Sequence, residues 1–359
     1  TRYFGGGTLT HTYTSARFRL QTGVDAGVQR DQRERYDNLS GQRGNLTFDQ
    51  SERFAGVGAF ALTEVFLTQK ISATAALRAD VVRLKAIDQF TPTAPTGSSS
   101  VFRRANPTVG IRYVLRPNWM MYTNAGTHFE TPTLNELSAN PEETGGFNAT
   151  LKPQQSAHVE AGTRLAPNAR FQWELAVFYI ALRNELVPYQ LPATPGRTYF
   201  RNAGTSRRTG VETAVRYQFL RHWTVLGQYN YGDFRYKNYE ASGVRYDGNV
   251  LPALPLHRGL VALTWQSRRW FATAQAQMQS GIFADDANLV KDRGYALVSG
   301  RGGWEWARKK WVLSPFLGAN NLLGAAYSNN ILINAAANRY FEPGPNMVNV
   351  YGGITIKIR

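Results

Sequence analysis

Five times in this chain an aromatic residue directly follows a short polar or basic turn. The places are Arg116-Pro117-Asn118-Trp119, Pro167-Asn168-Ala169-Arg170-Phe171, Arg221-His222-Trp223, Arg268-Arg269-Trp270 and Lys309-Lys310-Trp311. Gln69-Lys70-Ile71 keeps the position with an aliphatic residue, and from residue 71 onward the recurrences lie 41 to 52 residues apart. A turn of two to five residues joins antiparallel strands. Trp and Phe gathered at one end of every second strand are what a membrane–water interface selects. The recurrence predicts an all-β fold, a transmembrane antiparallel β-barrel.

Period-two alternation supports it. In 270–279, Trp270, Ala272, Ala274, Ala276 and Met278 share one face, while Phe271, Thr273, Gln275, Gln277 and Gln279 share the other. In 16–28, Ala16, Phe18, Leu20, Val24, Ala26 and Val28 alternate with Arg17, Arg19, Gln21 and Asp25. The segments 158–165, 171–179 and 211–219 behave alike. A soluble sandwich also alternates, but its strands usually run five or six residues. The pattern here gives about fourteen longer strands, at 12–29, 52–68, 70–87, 103–115, 118–129, 154–165, 170–182, 203–220, 223–236, 257–267, 269–280, 293–306, 310–321 and 347–358. Short turns alternate with long connections at 30–51, 88–102, 130–153, 183–202, 237–256, 281–292 and 322–346, rich in Gly, Pro, Asn and Ser. In outer-membrane barrels short turns are periplasmic and long loops extracellular, which orients the chain.

Composition removes several classes. The 359 residues contain no Cys, 5 His and 4 Met, so thiolate chemistry is excluded. No apolar run reaches the length of a transmembrane helix. His11, His128, His158, His222 and His257 are dispersed, without metal-ligand spacing. Gly5-Gly6-Gly7 opens no helix and is no phosphate cradle. The formal net charge of +16 first suggests nucleic acid. The Arg and Lys are spread along the whole chain, however, so no nucleic-acid partner is expected. A basic barrel instead meets lipopolysaccharide phosphates at its outer rim, or draws anionic ligands into its mouth.

Five segments, in order, resemble the C-terminal part of a TonB-dependent outer-membrane receptor of the ferric-siderophore type. Phe129-Glu130-Thr131-Pro132-Thr133-Leu134-Asn135-Glu136-Leu137 resembles the family's F-x-x-P-T-x-x-E-L stretch. Leu151-Lys152-Pro153-Gln154-Gln155-Ser156 with Glu160-Ala161-Gly162 resembles L-x-P-E-x-S and E-x-G, with Gln154 in place of Glu. Asn202-Ala203-Gly204 with Gly210-Val211-Glu212 is similar to N-x-G and G-x-E. Leu251-Pro252-Ala253-Leu254-Pro255-Leu256-His257 follows, then Asn320-Asn321-Leu322-Leu323-Gly324 and Arg339-Tyr340-Phe341-Glu342-Pro343. The resemblance covers roughly residues 100–359. It implies a domain over 1–359 that is a portion of a barrel of about 22 strands around a plug, with the plug and first strands outside the chain. Ile354, Ile356 and Ile358 share one face of the final strand, and an in-phase aromatic is expected after Arg359.

The resemblance further implies a transporter of the bacterial outer membrane, not an enzyme, with no cofactor, no catalytic residue and no metal site of its own. Its partners would be a ferric siderophore or similar chelate, the TonB complex through the plug, and outer-membrane lipid and lipopolysaccharide. Arg and Tyr in the loops suit an anionic chelate, because Arg forks match carboxylates and aromatic rings pack the chelate's body. Arg197, Tyr199 and Arg201, then Tyr236, Tyr239 and Tyr246, then Arg339 and Tyr340 are the candidate ligand residues. A loop Tyr more often packs its own loop, and a loop Arg more often pairs with a neighbouring acid. Lumen charges such as Arg17, Arg19, Arg78, Asp80, Glu160, Arg164, Glu212, Arg216, Arg301 and Glu305 are expected to bridge across the wall or face the plug. A passive porin and a structural surface barrel are the competing readings.

Overall fold

The computed structural model describes residues 1–90, 97–142, 146–194 and 196–358. Fifteen long strands follow one another as an antiparallel meander, and the two-residue segment Trp306–Ala307 completes a 16-stranded sheet. They are β1 (Arg2–Thr14), β2 (Phe18–Leu39), β3 (Gln42–Phe66), β4 (Ile71–Asp88), β5 (Gly97–Arg116), β6 (Trp119–Glu130), β7 (Gln154–Asn168) and β8 (Phe171–Arg183). After them come β9 (Thr205–Leu220), β10 (Trp223–Asn238), β11 (His257–Gln266), β12 (Trp270–Gln279), β13 (Tyr295–Trp304), β14 (Trp311–Asn320) and β15 (Asn349–Ile358). Arg359, after which the aromatic is expected, lies outside the described residues.

One face of this wall is apolar yet open. Val28 is 60% exposed, Val57 59% and Ile356 63%, in strands whose opposite faces carry Asp25, Gly58 and Thr355. A soluble protein rarely leaves so continuous an apolar surface in water, whereas a lipid-facing wall requires it. Rings close the short-turn end of this face into a belt. Phe171 meets Tyr217 at 5.9 Å, Phe219 meets Trp223 at 6.5 Å, and Trp223 meets Trp265 at 6.5 Å. Trp270 meets Trp304 at 5.5 Å, and Trp306 meets Trp311 at 5.2 Å. Trp119 and Trp173 donate their indole N–H to Thr163 and Thr213 on the next strand, which satisfies the polar edge of each ring.

Two differences from the sequence pattern have physical reasons. Residues 2–14 form a strand of their own, turning at Ser15–Arg17 into Phe18, so the aromatic repeat has one more member. The Gly- and Thr-rich stretch Gly5–Thr14 has only Leu9 and Tyr13 as large apolar residues, too few to make alternation visible. Residues 30–51, read as a long connection, instead continue β2 and β3 to a two-residue turn at Ser40 (φ 54°) and Gly41 (φ 92°). Left-handed φ at both positions is the type I′ hairpin geometry. β3 has 25 residues, against the ~9–11 needed to cross a bilayer. Its outermost residues, 42–47, are largely exposed on both faces, and the alternation disappears there.

On the polar face, Arg78 of β4 reaches across β3 to Asp25 of β2 with two bonds of 2.8 and 3.0 Å. It also binds Asp80 at 2.6 and 3.0 Å. Gly58, directly between them in register, leaves the guanidinium its space: a Cβ there would lie 2.2 Å from Arg78 Nη2. Arg112–Glu64 at 3.1 Å and Arg164–Glu174 at 3.6 Å bridge the wall elsewhere, and Arg301 lies over the Phe316 ring at 3.9 Å. Gly58→Val is expected to destabilise the barrel by about 1–3 kcal/mol through overpacking. Gly27→Ala, whose Cβ would meet nothing closer than 3.9 Å, is expected to leave it unchanged. The urea-unfolding midpoints of the two variants in detergent micelles make the comparison.

Candidate functional site

At the long-loop end the connections fold inward over the polar face and pack as two bodies. The first is formed by residues 131–142 and 146–153. Pro132 is fully buried just after β6 ends, and Thr133 caps a short helix α1 (Leu134–Ser138). Thr133 Oγ1 accepts from the Glu136 N–H at 3.2 Å, while the Glu136 carboxylate accepts from the Thr133 N–H at 2.7 Å. This is a capping box, and it gives the T-x-x-E of the sequence a mechanical meaning. Leu134 and Leu137, together with Phe147 and Leu151, then pack on Leu84 and Ala86 of β4. Gln50 of β3 holds this body by polar contacts, donating to Ser138 at 3.0 Å and accepting from the Gly146 N–H at 2.8 Å. Arg33 of β2 reaches Glu52 at 3.3 Å and Asn135 at 2.9 Å.

The second body collects most of the candidate ligand residues around a carboxylate that the sequence reading did not single out. Asp286, 2% exposed, accepts from the Tyr236 hydroxyl at 2.8 Å, the Tyr239 hydroxyl at 2.9 Å and the Asn334 amide at 3.0 Å. Arg201 donates to the Tyr239 oxygen at 2.8 Å and approaches Asp286 at 3.4 Å, with its guanidinium 4.7 Å from the centre of the Tyr189 ring. Tyr246 stacks beside Tyr239 at 5.4 Å, and Arg197 lies over Tyr199 at 5.0 Å. Thus Arg197, Tyr199 and Arg201 of the β8–β9 connection converge with Tyr236, Tyr239 and Tyr246 from the end of β10 and the β10–β11 connection. Tyr199, Tyr236 and Tyr239 are wholly buried, Arg197, Arg201 and Tyr246 partly so. Burial first, then the Asp286 charge, raises the Tyr239 hydroxyl above the ordinary phenol range, so it remains a donor.

Arg339 and Tyr340 are not brought into this cluster. Arg339 is exposed after a 3-10 turn at Ala336–Asn338, and Tyr340 stacks on Phe341 at 6.1 Å. Their loop takes part through Asn334 instead, whose amide also donates to the Pro188 carbonyl at 3.0 Å. Asn334 sits at φ 51°, and Asn tolerates that left-handed region better than most residues. The sequence held one signal for the missed acid: Asp285-Asp286 is an acidic pair inside a loop of a strongly basic chain. Asp285 turns inward to its own loop, accepting from the Val290 N–H at 2.8 Å.

Removing the hub carboxylate strips four donors of their acceptor. Asp286→Ala is expected to cost about 2–4 kcal/mol of loop stability. Hydrogen exchange should rise across 186–202 and 236–251, while the strands β9–β12 keep their protection. Unchanged exchange in both loops would show that the hub holds nothing.

The model of the family "TonB dependent receptor-like, beta-barrel" matches residues 1–322. A metal-pseudopaline receptor, CntO, from Pseudomonas aeruginosa is 25% identical over 207 residues, which is 56% of this chain and 27% of that protein. Among solved structures, the ferric citrate transporter FecA in its unliganded form superposes with a TM-score of 0.79 at 17% identity, over 99% of this chain and 55% of that one. The copper transporter OprC gives 0.76 at 20% identity, over 100% of this chain and 56% of that one. This chain therefore spans about half the length of the solved relatives it matches. The apolar wall with its aromatic belt, the inward-packed loops and the family match agree: the chain belongs to the TonB-dependent receptors, as barrel wall of the bacterial outer membrane.

Proposed function

We propose that the protein imports a scarce metal chelate, most simply a ferric siderophore, across the outer membrane with energy delivered by the TonB complex. The observation that carries this reading is the inward-packed mouth. Loops from β8–β9, β10–β11, β12–β13 and β14–β15 meet around Asp286 and set Arg201, partly exposed, at the surface of a rigid body. A fixed cationic fork beside tyrosine rings suits a compact anionic chelate. In this reading Tyr199, Tyr236 and Tyr239 hold the mouth in shape, while Arg197, Arg201, Tyr246, Arg339 and Tyr340 face the ligand.

A bare soft cation suits the chain less well. With 4 Met, 5 His and no Cys, it is poor in the ligands that copper prefers. The name of CntO, a metal-pseudopaline receptor, supports a metal chelate as the cargo class. No bond is broken in such transport, so the loop residues bind and orient and need no acid–base partner. The partial-barrel domain belongs to the same proposal. β1 pairs only with β2 and β15 only with β14 among the described residues, and unpaired edges are costly in lipid. Further strands and a plug would complete the wall.

Uptake of radioiron by cells carrying the full-length protein is the test, with hydroxamate, catecholate and carboxylate chelates supplied in turn. Saturable uptake of one chelate, lost on deleting TonB or adding a protonophore, is expected. Uptake that neither saturates nor responds to the protonophore would make the protein a passive pore. Arg201→Gln is expected to weaken binding of that chelate about tenfold, or about 1.4 kcal/mol, read by quenching of intrinsic tryptophan fluorescence.

A further inference from the structure

The membrane-facing side of strands β2 to β5 carries an uncompensated basic cluster at the outer rim. Arg30 of β2 stands directly opposite Arg53 of β3, which stands directly opposite Lys85 of β4. Arg83, two residues below Lys85, lies in the row Val28–Ala55–Arg83–Val101, and Arg103 of β5 lies opposite Val81 one row further down. Alternation puts all five on the same face as Val24, Val28, Val57 and Val81, the lipid-facing side. The four arginines are exposed and Lys85 is half-buried. Like charges directly opposite each other destabilise an antiparallel pair.

Elsewhere the wall resolves the same problem internally. Arg207 of β9 and Arg235 of β10 are also direct cross-strand partners, and Asp233 is placed between them, at 3.5 Å and 2.7 Å. For Arg30, Arg53, Arg83, Lys85 and Arg103, the described residues provide no carboxylate, hydrogen-bond acceptor or aromatic ring as a partner. The nearest acids on that face, Glu34 and Asp49, lie two rows further out. Glu34 is engaged by Tyr36 and Arg43, and Asp49 by Gln32. The counter-charge is therefore external.

Height and width identify it. Phe66 at the belt end of β3 is 13 residues from Arg53. At a rise of ~3.4 Å and a tilt of ~40°, that is about 34 Å along the membrane normal. The hydrocarbon core is ~30 Å thick, so the Arg30–Arg53–Lys85 row stands at the outer headgroup level, and Arg83 and Arg103 lie one and two rows lower, a depth from which long arginine side chains snorkel to the headgroups. From β2 to β5 it spans three strand spacings of ~4.8 Å, about 14 Å, wide enough for more than one phosphate. We propose that these five residues form a docking site for a phosphorylated glycolipid of the outer leaflet. Its acyl chains would lie on Val28, Val57 and Val81, and its phosphates between the rows of cations. In an outer membrane that lipid is lipopolysaccharide, bound through its lipid A phosphates.

The test uses full-length protein purified in detergent micelles doped with bisphosphorylated lipid A, and binding is followed by native mass spectrometry. Wild type is expected to retain lipid A, and Arg30→Gln/Arg53→Gln/Lys85→Gln to bind it at least about tenfold more weakly. Both should show the same heat-modifiable mobility of a folded barrel, and Arg207→Gln should bind like wild type. Where the triple variant does not fold, Arg53→Gln alone and the salt dependence of wild-type binding carry the test, since contacts at this exposed level are screened by salt. Equal retention by wild type and a folded variant overturns the site. Displacement of lipid A by inorganic phosphate at equal concentration overturns the lipid source. Equal retention of phosphatidylglycerol overturns the glycolipid assignment.

Discussion

Within a bilayer there is no water to satisfy a peptide group, so every N–H and C=O that crosses must find its partner in the ladder itself. The continuous antiparallel register from β1 to β15 is the response, and other features of the wall follow from it. A ladder fixes alternation, so one face must match lipid and the other is free to be polar. It fixes strand order, so chain neighbours are spatial neighbours and every second connection can be a tight turn. It also fixes where a ring must sit to reach the interface. Seven rings, Phe18, Trp119, Phe171, Trp223, Trp270, Trp304 and Trp311, therefore gather at the short-turn end without forming a motif in the ordinary sense.

Above the membrane the constraint relaxes, and the chain uses different devices. β2 and β3 run on as a two-stranded hairpin with both faces wet. The loops cannot lean on lipid, so they lean on the polar face: α1 on Leu84 and Ala86, and the Asp286 hub beside β10. An isolated buried carboxylate would be very unfavourable. Two phenols, an amide and a guanidinium satisfy this one, and three loops cannot move independently while it holds them.

The wall was legible because its signal is a period, and a period survives divergence. Trp270 to Gln279 reads as a strand from ten residues alone. The hairpin at Ser40–Gly41 was not legible, because with no lipid on either side nothing selects one face over the other. The family's motifs were legible as patterns but not as roles. Thr133 and Glu136 cap a helix, and Asn202 ties Lys152 to Asn184. Asn321 closes on Ala325 and Pro345. These bonds fasten the loops to one another and to the wall. The candidate tyrosines were recognisable as loop aromatics. Their convergence depends on Asp286 and Asn334, which lie far along the chain and are joined to them only by the folded topology.

A formal charge of +16 concealed three different situations. Arg78 lies between two aspartates over a glycine and stiffens the wall. Arg201 is held in place by Tyr239 and Asp286, and in the proposed reading such a preorganised cation loses less entropy on binding than a free one. Arg30, Arg53 and Lys85 have repulsive neighbours and no partner among the described residues. A count of charges treats all three alike, while pairing separates them into a buttress of the wall, a fork fixed at the mouth and an unpaired row at the rim. That separation also explains why the arginines are spread along the sequence. A barrel places residues distant in sequence side by side around one rim, so a surface cluster needs no cluster in the chain.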